Sequence, residues 1–318
     1  MVFTPFGECD SLSSCRMNNK KHYAAAISAF VVWGFFSVPL RALKGFSAGE
    51  ILYFRILFSA IILLVIILGF RKAELKKDIQ LLKSFSANHR NHIITLTLAG
   101  GALLIINWLV FIYVINAINI KTASFSYFIC PVLTAVLGNF ILKEKLNPLQ
   151  WIAVSLCIVS CLLLGLNSAA ELGYSFIVAL SYAFYLITQR KNNGFDRLTV
   201  LAVQILFALF ILTLSFKWLV AAVPASLFFY EITFLVAGVF TVLPLFLNLF
   251  ALNRINSTTV GILLYINPLM NFCLAFFFFG ETITTLQLIG YLIILVAIAI
   301  FNYPNLVKLK TATMARVS

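Results

Sequence analysis

Arg55 has the strongest claim to chemistry in this chain, because it stands inside an apolar run extending from about residue 50 to residue 70. An ionisable side chain at membrane depth is costly unless it faces a cavity, a partner or the interface. Glu50 lies five residues earlier, about 8 Å along a helix axis, an offset that does not put the two side chains on one face, so they need not pair. So long a side chain can also snorkel to the interface. The default for a charge within a span nevertheless favours Arg55 as a substrate-binding or gating group.

Other polar and aromatic residues fall in the apolar runs. Pro131 and Pro268 each remove a backbone donor and crowd the carbonyl four residues back, here Tyr127 and Leu264. Freed backbone groups at membrane depth are tolerated where a cavity or polar neighbour satisfies them. Asn267 and Asn271 are four residues apart and share a helix face, while Asn107 and Asn248 lie within or near other runs. Buried amides of this kind serve either a polar site or helix–helix adhesion. Ser181, Tyr185 and Gln189 form a further polar stripe, and Trp33 and Tyr265 are candidate aromatic walls. Tyrosine and tryptophan also anchor helices at membrane interfaces.

Several chemistries have no counterpart in the sequence. Glu50, Glu144, Glu231 and Glu281 all fall near the ends of apolar runs, so no buried carboxylate relay is visible. Neither a phosphate-binding glycine–lysine loop nor a Gly-x-Ser-x-Gly elbow is present, which argues against nucleotide hydrolysis and acyl transfer. The six cysteines form no C-x-x-C pair, and Cys130, Cys157, Cys161 and Cys273 sit in apolar runs as small hydrophobes. His89 and His92 have no nearby cysteine or carboxylate with which to complete a metal site. No catalytic residue, cofactor or metal is therefore expected.

The elements that must carry these residues are transmembrane helices. Of the 318 residues, 62% are hydrophobic and 10% charged, too few charges to cover a soluble domain of that size. Unbroken apolar runs, as opposed to alternating ones, exclude an outer-membrane barrel. The runs lie near residues 23–40, 50–70, 93–115, 122–142, 149–166, 173–189, 198–216, 231–252, 257–279 and 285–303, which predicts an all-α integral membrane protein of ten helices. The first run is too long for a signal-peptide core and reads as an uncleaved helix, with Met17 as an alternative start. The net charge of +13 resides in the loops, where it directs topology and does not point to nucleic acid. With a cytoplasmic N-terminus, 18 of the 23 Lys and Arg fall inside, 4 outside and Arg55 within a span, so both termini are expected in the cytoplasm.

The two halves of the chain repeat. Residues 116–152 align without a gap on residues 253–289, an offset of 137, with 12 identities in 37 positions. Apolar identities arise freely in such a chain, so the weight rests on Asn116/Asn253, Asn119/Asn256, Thr122/Thr259, Pro131/Pro268, Glu144/Glu281 and Gln150/Gln287. Matching positions are separated by an odd number of spans, so the second copy is inverted. Two inverted repeats of five helices, residues 23–167 and 173–303, are predicted between cytoplasmic tails at 1–22 and 304–318, with a substrate site between the halves.

Trp33-Gly34, the stretch GEILYFR at 49–55, Asn107-Trp108, Tyr127 to Pro131 followed by Leu142-Lys143-Glu144, Phe184-Tyr185, and Tyr265 to Pro268 followed by Gly280-Glu281 occur in order and correctly spaced. In these the chain resembles the EamA group of the drug/metabolite transporter superfamily, and within it the RarD branch, from about residue 23 to 302. The resemblance implies ten helices, cytoplasmic termini, a bacterial inner-membrane location and transport of a small metabolite or drug-like solute, without naming the solute. Trp108 and Tyr127, which lie in these stretches, join the candidate site. The expected partners are the lipid bilayer and a small-molecule substrate, with no nucleic acid; a homodimer stays open. A non-transporting scaffold or lipid-handling protein is the second reading. A membrane-embedded enzyme is the third, disfavoured because the few acidic residues are scattered.

Overall fold

The structure is a computed structural model that describes residues 12–143, 145–192, 194–252 and 263–314. Every regular element among them is helical, with no strand. In hydrocarbon a backbone must satisfy its own hydrogen bonds, and in a chain of long apolar runs the helix does so within each segment.

The first membrane-length segment is α1 (Leu12–Gly34) continued after a break by α2 (Ser37–Ala42). Then follow α3 (Ala48–Phe70), α4 (Lys72–Ser84) and α5 (Ala87–Tyr113), the last extended by a π-helical turn at Val114–Ile118. Next come α6 (Ile120–Leu142), α7 (Pro148–Asn167), α8 (Ala169–Lys191) and α9 (Arg197–Leu214). The short α10 (Phe216–Leu219) leads to α11 (Leu227–Ala237), which a π-helical turn at Gly238–Val242 joins to α12 (Leu243–Leu252). The chain ends with α13 (Ile266–Phe277) and α14 (Thr285–Met314).

Local sequence sets the helix starts. Ser47 and Glu50 form a reciprocal capping box on α3, as do Asn147 and Gln150 on α7, where Pro148 occupies the first turn. Asn119, Ser168 and Asp196 accept from the backbone N–H of Thr122, Glu171 and Thr199 at the starts of α6, α8 and α9. Glu50 is thus committed to its own helix and not to Arg55.

Nine helical segments among the described residues are long and apolar enough to cross a bilayer. Ten were expected. The run predicted at 257–279 lies partly outside the described residues, and α13, with 12 residues, is shorter than the roughly 20 that a span needs. The long polar stretch at 71–91 between two of the predicted spans holds α4, whose Leu75 packs against the apolar core that includes Ile56.

Two apolar cores result. One gathers α3, α5, α9 and α11 around residues such as Ile56, Leu104, Ile205 and Phe229. The other gathers α6, α7, α8 and α14 around Phe128, Cys157, Ala183 and Ile294. Close approach of α5 to α9 depends on Gly101, where a methyl group would lie 2.9 Å from the Phe207 ring and 3.1 Å from the Gln204 carbonyl oxygen.

At the basic end of the bundle α4 is tied to the start of α9. Arg71 Nη2 pairs with Asp196 Oδ2 at 2.7 Å, and the Asp196 N–H donates to the Asp78 carboxylate at 3.1 Å. Burial, with the nearby Asp196 and Glu74 charges, holds the Asp78 carboxyl above its ordinary range despite that N–H. A carboxyl raised in this way binds its proton more tightly when folded, so stability is lost as pH rises through its titration. Asp78→Asn keeps an acceptor and removes the charge. The variant is expected to melt at or above the wild-type temperature at pH 7, with the difference shrinking towards pH 4, in thermal unfolding curves across that range.

Candidate functional site

The Arg55 guanidinium is drawn into the first core and does not snorkel; the residue is 2% exposed. It is held from three sides. The Phe36 ring lies 4.8 Å from its central carbon and the Trp108 ring 4.5 Å away, so aromatic faces cover the cation from α1–α2 and from α5. Arg55 Nε donates to Thr241 Oγ1 at 3.1 Å. Arg55 Nη1 is buried with no partner, and no carboxylate among the described residues lies within ion-pair distance.

Thr241 reaches Arg55 because the chain is π-helical there. Its hydroxyl donates back to the Val236 carbonyl at 2.9 Å, five residues earlier, and so turns its lone pairs towards the guanidinium. A single π turn in a long apolar helix frees main-chain groups and re-aims side chains. The same turn leaves the Phe240 carbonyl to accept from Trp33 Nε1 at 3.1 Å, while the Phe240 ring stacks on Phe36 at 6.0 Å. Trp33 therefore belongs to the support of the Arg55 cage.

On the other flank, α5 supplies Asn107, Trp108 and Phe111 from one helix face. Asn107 Nδ2 donates to the Val178 carbonyl at 2.8 Å and to Ser181 Oγ at 3.2 Å, and its carbonyl oxygen accepts from the Tyr127 hydroxyl at 3.3 Å. Phe111 bridges Phe36 and Tyr127, with ring separations of 6.0 and 5.1 Å. Tyr127 continues through Tyr182 to Tyr185, each step 5.7 Å. An aromatic wall thus runs from the arginine cage to α8.

A smaller polar group adjoins the Trp33 side. Asn271 Nδ2 donates to Asn267 Oδ1 at 2.7 Å and reaches the Trp33 carbonyl at 3.5 Å, so the shared face expected for these amides is real. Asn248 Oδ1 is buried and unpartnered on α12. Tyr265 lies instead in the second core, against residues such as Phe128 and Ile294. The two prolines differ. Pro131 is inside the continuous α6, whereas Pro268 occupies the first turn of α13, just after a break at Leu264-Tyr265. Its missing N–H is no loss in a first turn, where helix donors have no intrahelical partner.

The sequence reading missed Phe36, Phe111, Tyr182, Phe240 and Thr241, since single aromatic rings carry no signal in a chain with 32 phenylalanines and a lone threonine carries none in an apolar helix. It also missed the role of Glu281. That carboxylate accepts from the backbone N–H of Ile120 at 2.7 Å and of Lys121 at 3.1 Å, and pairs with Arg41 Nη2 at 2.7 Å. An acidic group from the chain after α13 thus caps the start of α6, the helix that carries Tyr127 and Pro131.

The profile of the EamA-like transporter family matches residues 20–166 and again 170–303. An uncharacterized transporter of Vibrio cholerae is 33% identical over 93% of this chain and 97% of its own length. The RarD protein of Escherichia coli is 30% identical over 87% of this chain and 92% of its own. A protein crystal structure with 12% identity superposes at a TM-score of 0.59, covering 88% of this chain and 96% of that one, a likeness of fold alone.

Hydrogen bonds to a charged group contribute roughly 1.5–3 kcal/mol each, and the Glu281 carboxylate is only partly buried. Glu281→Gln, which removes the charge facing Arg41 and replaces one of the two oxygens that accept from the start of α6, is expected to destabilise the protein by about 2 kcal/mol. Thermal unfolding in detergent checks this, with Glu231→Gln as the control.

Proposed function

The chain belongs to the EamA-like transporter family, and we propose that it is a secondary transporter moving a small metabolite or drug-like solute by alternating access, with its cargo bound beside Arg55. The observation that carries this reading is a buried guanidinium with an unpartnered Nη1 and no counter-charge among the described residues. A cation at membrane depth is costly, and such residues mark substrate or ion pathways. Two rings and one hydroxyl orient Arg55 without neutralising it, which leaves its free edge for an anionic or strongly accepting group on a cargo.

The proposed architecture is ten helices in two inverted repeats of five, with both termini in the cytoplasm. In support, Lys143 adopts a left-handed conformation (φ 57°) at the end of α6, and Gly280, its equivalent at the repeat offset, does the same (φ 64°). A non-glycine residue seldom adopts this conformation. A lysine doing so where the other copy has glycine accords with a shared backbone design. Relatives bearing the names "uncharacterized transporter" and RarD support transport as the activity.

The test is ligand-induced thermal stabilisation of purified protein across amino acids, amphiphilic drugs, nucleosides and small anions. Ligand at a hundred times its dissociation constant adds about 2.7 kcal/mol to the folded state. The stabilising compound is expected to lose at least tenfold in affinity in Arg55→Gln, about 1.4 kcal/mol or more, and to bind normally in Lys83→Ala. Counterflow of that compound in proteoliposomes then reads transport itself. Unchanged binding and counterflow in Arg55→Gln would remove the arginine from the site.

A further inference from the structure

A groove of about 470 Å³ lies on the lateral surface, between α5 and α8 and reaching the end of α6. Its floor is cut by small residues, Ala99 and Ala102, between larger ones such as Leu103 and Ile106 on α5 and Phe184 on α8. Ile106 and Phe184 are 46% and 38% exposed, so the groove opens sideways along a surface that faces hydrocarbon in a bilayer. Its lining is apolar except at one end, where Thr188 and Lys191 occupy the last turn of α8. That end is the strongly basic face of the molecule, where the stretch at 71–91 carries Arg71, Lys72, Lys76, Lys77, Lys83 and Arg90.

An apolar trough open to lipid and closed at the interface by a lysine has the chemistry of an amphiphile with one anionic head. Lys191 enters none of the ion pairs among the described residues. A further polar group lies behind the trough. The Gln204 side chain is 1% exposed, and neither of its amide atoms has a hydrogen-bond partner. Gly100 separates it from the groove: a methyl group there would overlap Gln204 Nε2 and lie 3.2 Å from Thr188 Oγ1. An unpartnered donor thus sits across Gly100 from Thr188, which precedes Lys191 by about one helical turn on α8.

We propose that this groove is a binding site for an anionic phospholipid of the basic-side leaflet, with an acyl chain along Ala99 and Ala102 and the phosphate on Lys191. Basic residues at the membrane surface each contribute about 1 kcal/mol to binding an anionic leaflet, which corresponds to roughly fivefold in affinity.

Native mass spectrometry of the whole protein in detergent tests this with dioleoylphosphatidylglycerol and dioleoylphosphatidylcholine, which share chains and differ in net charge. The wild type is expected to retain phosphatidylglycerol preferentially. Lys191→Gln is expected to lower that affinity about fivefold and leave phosphatidylcholine unchanged. Ala99→Leu, which fills the trough without touching charge, is expected to weaken both lipids. Both variants sit on the lipid-facing surface, and an unchanged melting temperature without lipid shows that they fold. Equal retention of the two lipids, or phosphatidylglycerol binding unaffected by both variants, overturns the proposal. So does a stable dimer that Ala99→Leu dissociates, because a second copy would then fill the groove.

Discussion

A guanidinium moved from water into a low-dielectric interior loses most of its hydration, and pairing with a carboxylate is the usual compensation. Arg55 has no such partner among the described residues, and much of the surrounding architecture is explained by what replaces it. Two aromatic faces supply quadrupolar attraction, and one hydroxyl supplies a directed hydrogen bond. Those groups come from the α1–α2 break, from α5 and from the π turn between α11 and α12. Three separate parts of the chain must therefore converge on a point on α3.

Two of the backbone irregularities fall where that convergence needs them. The interruption after Gly34 places Phe36 beside Arg55, and the π turn at Gly238–Val242 presents Thr241 to the guanidinium and a carbonyl to Trp33. In lipid such departures are tolerated only where the freed groups find new partners within the protein. Here the partners are Val236 and Trp33, which couple the arginine cage to helix geometry. Glu281 acts comparably at a distance. By capping α6 it holds the start of the helix whose Tyr127 closes the Asn107 hydrogen-bond chain.

Much of this was legible before any coordinates. Arg55 stands out because charge within an apolar run is rare, whereas that Trp108 covers it and that Asn107 and Tyr127 join next to Trp108 follows from the packing. Asn267 and Asn271 share a face because four residues make about one turn. Tyr265 fared differently, since an aromatic residue in a chain with 32 phenylalanines carries no information about which core it joins. The symmetry of Pro131 and Pro268 misled in part. Identical residues at equivalent positions occupy unlike backbone contexts, one inside a helix and one at a helix start, because the break at Leu264-Tyr265 has no counterpart in α6.

The sequence alone determined an all-helical membrane protein, the position of most of its spans and that of Arg55, the most deeply buried charge among the described residues. Hydrophobicity, capping residues and the cost of ionisation are local properties, written a few residues at a time. Which groups surround that charge is not local. Phe36, Phe240 and Thr241 lie 19, 185 and 186 residues from Arg55 along the chain, and their residue types would suit almost any apolar helix. The fold of the 71–91 stretch onto Asp196, the reach of Glu281 to α6 and the trough beside Lys191 likewise depend on helices far apart in sequence packing together. Such contacts arise from shape and hydrogen-bond complementarity across the bundle, and only the tertiary structure decided them.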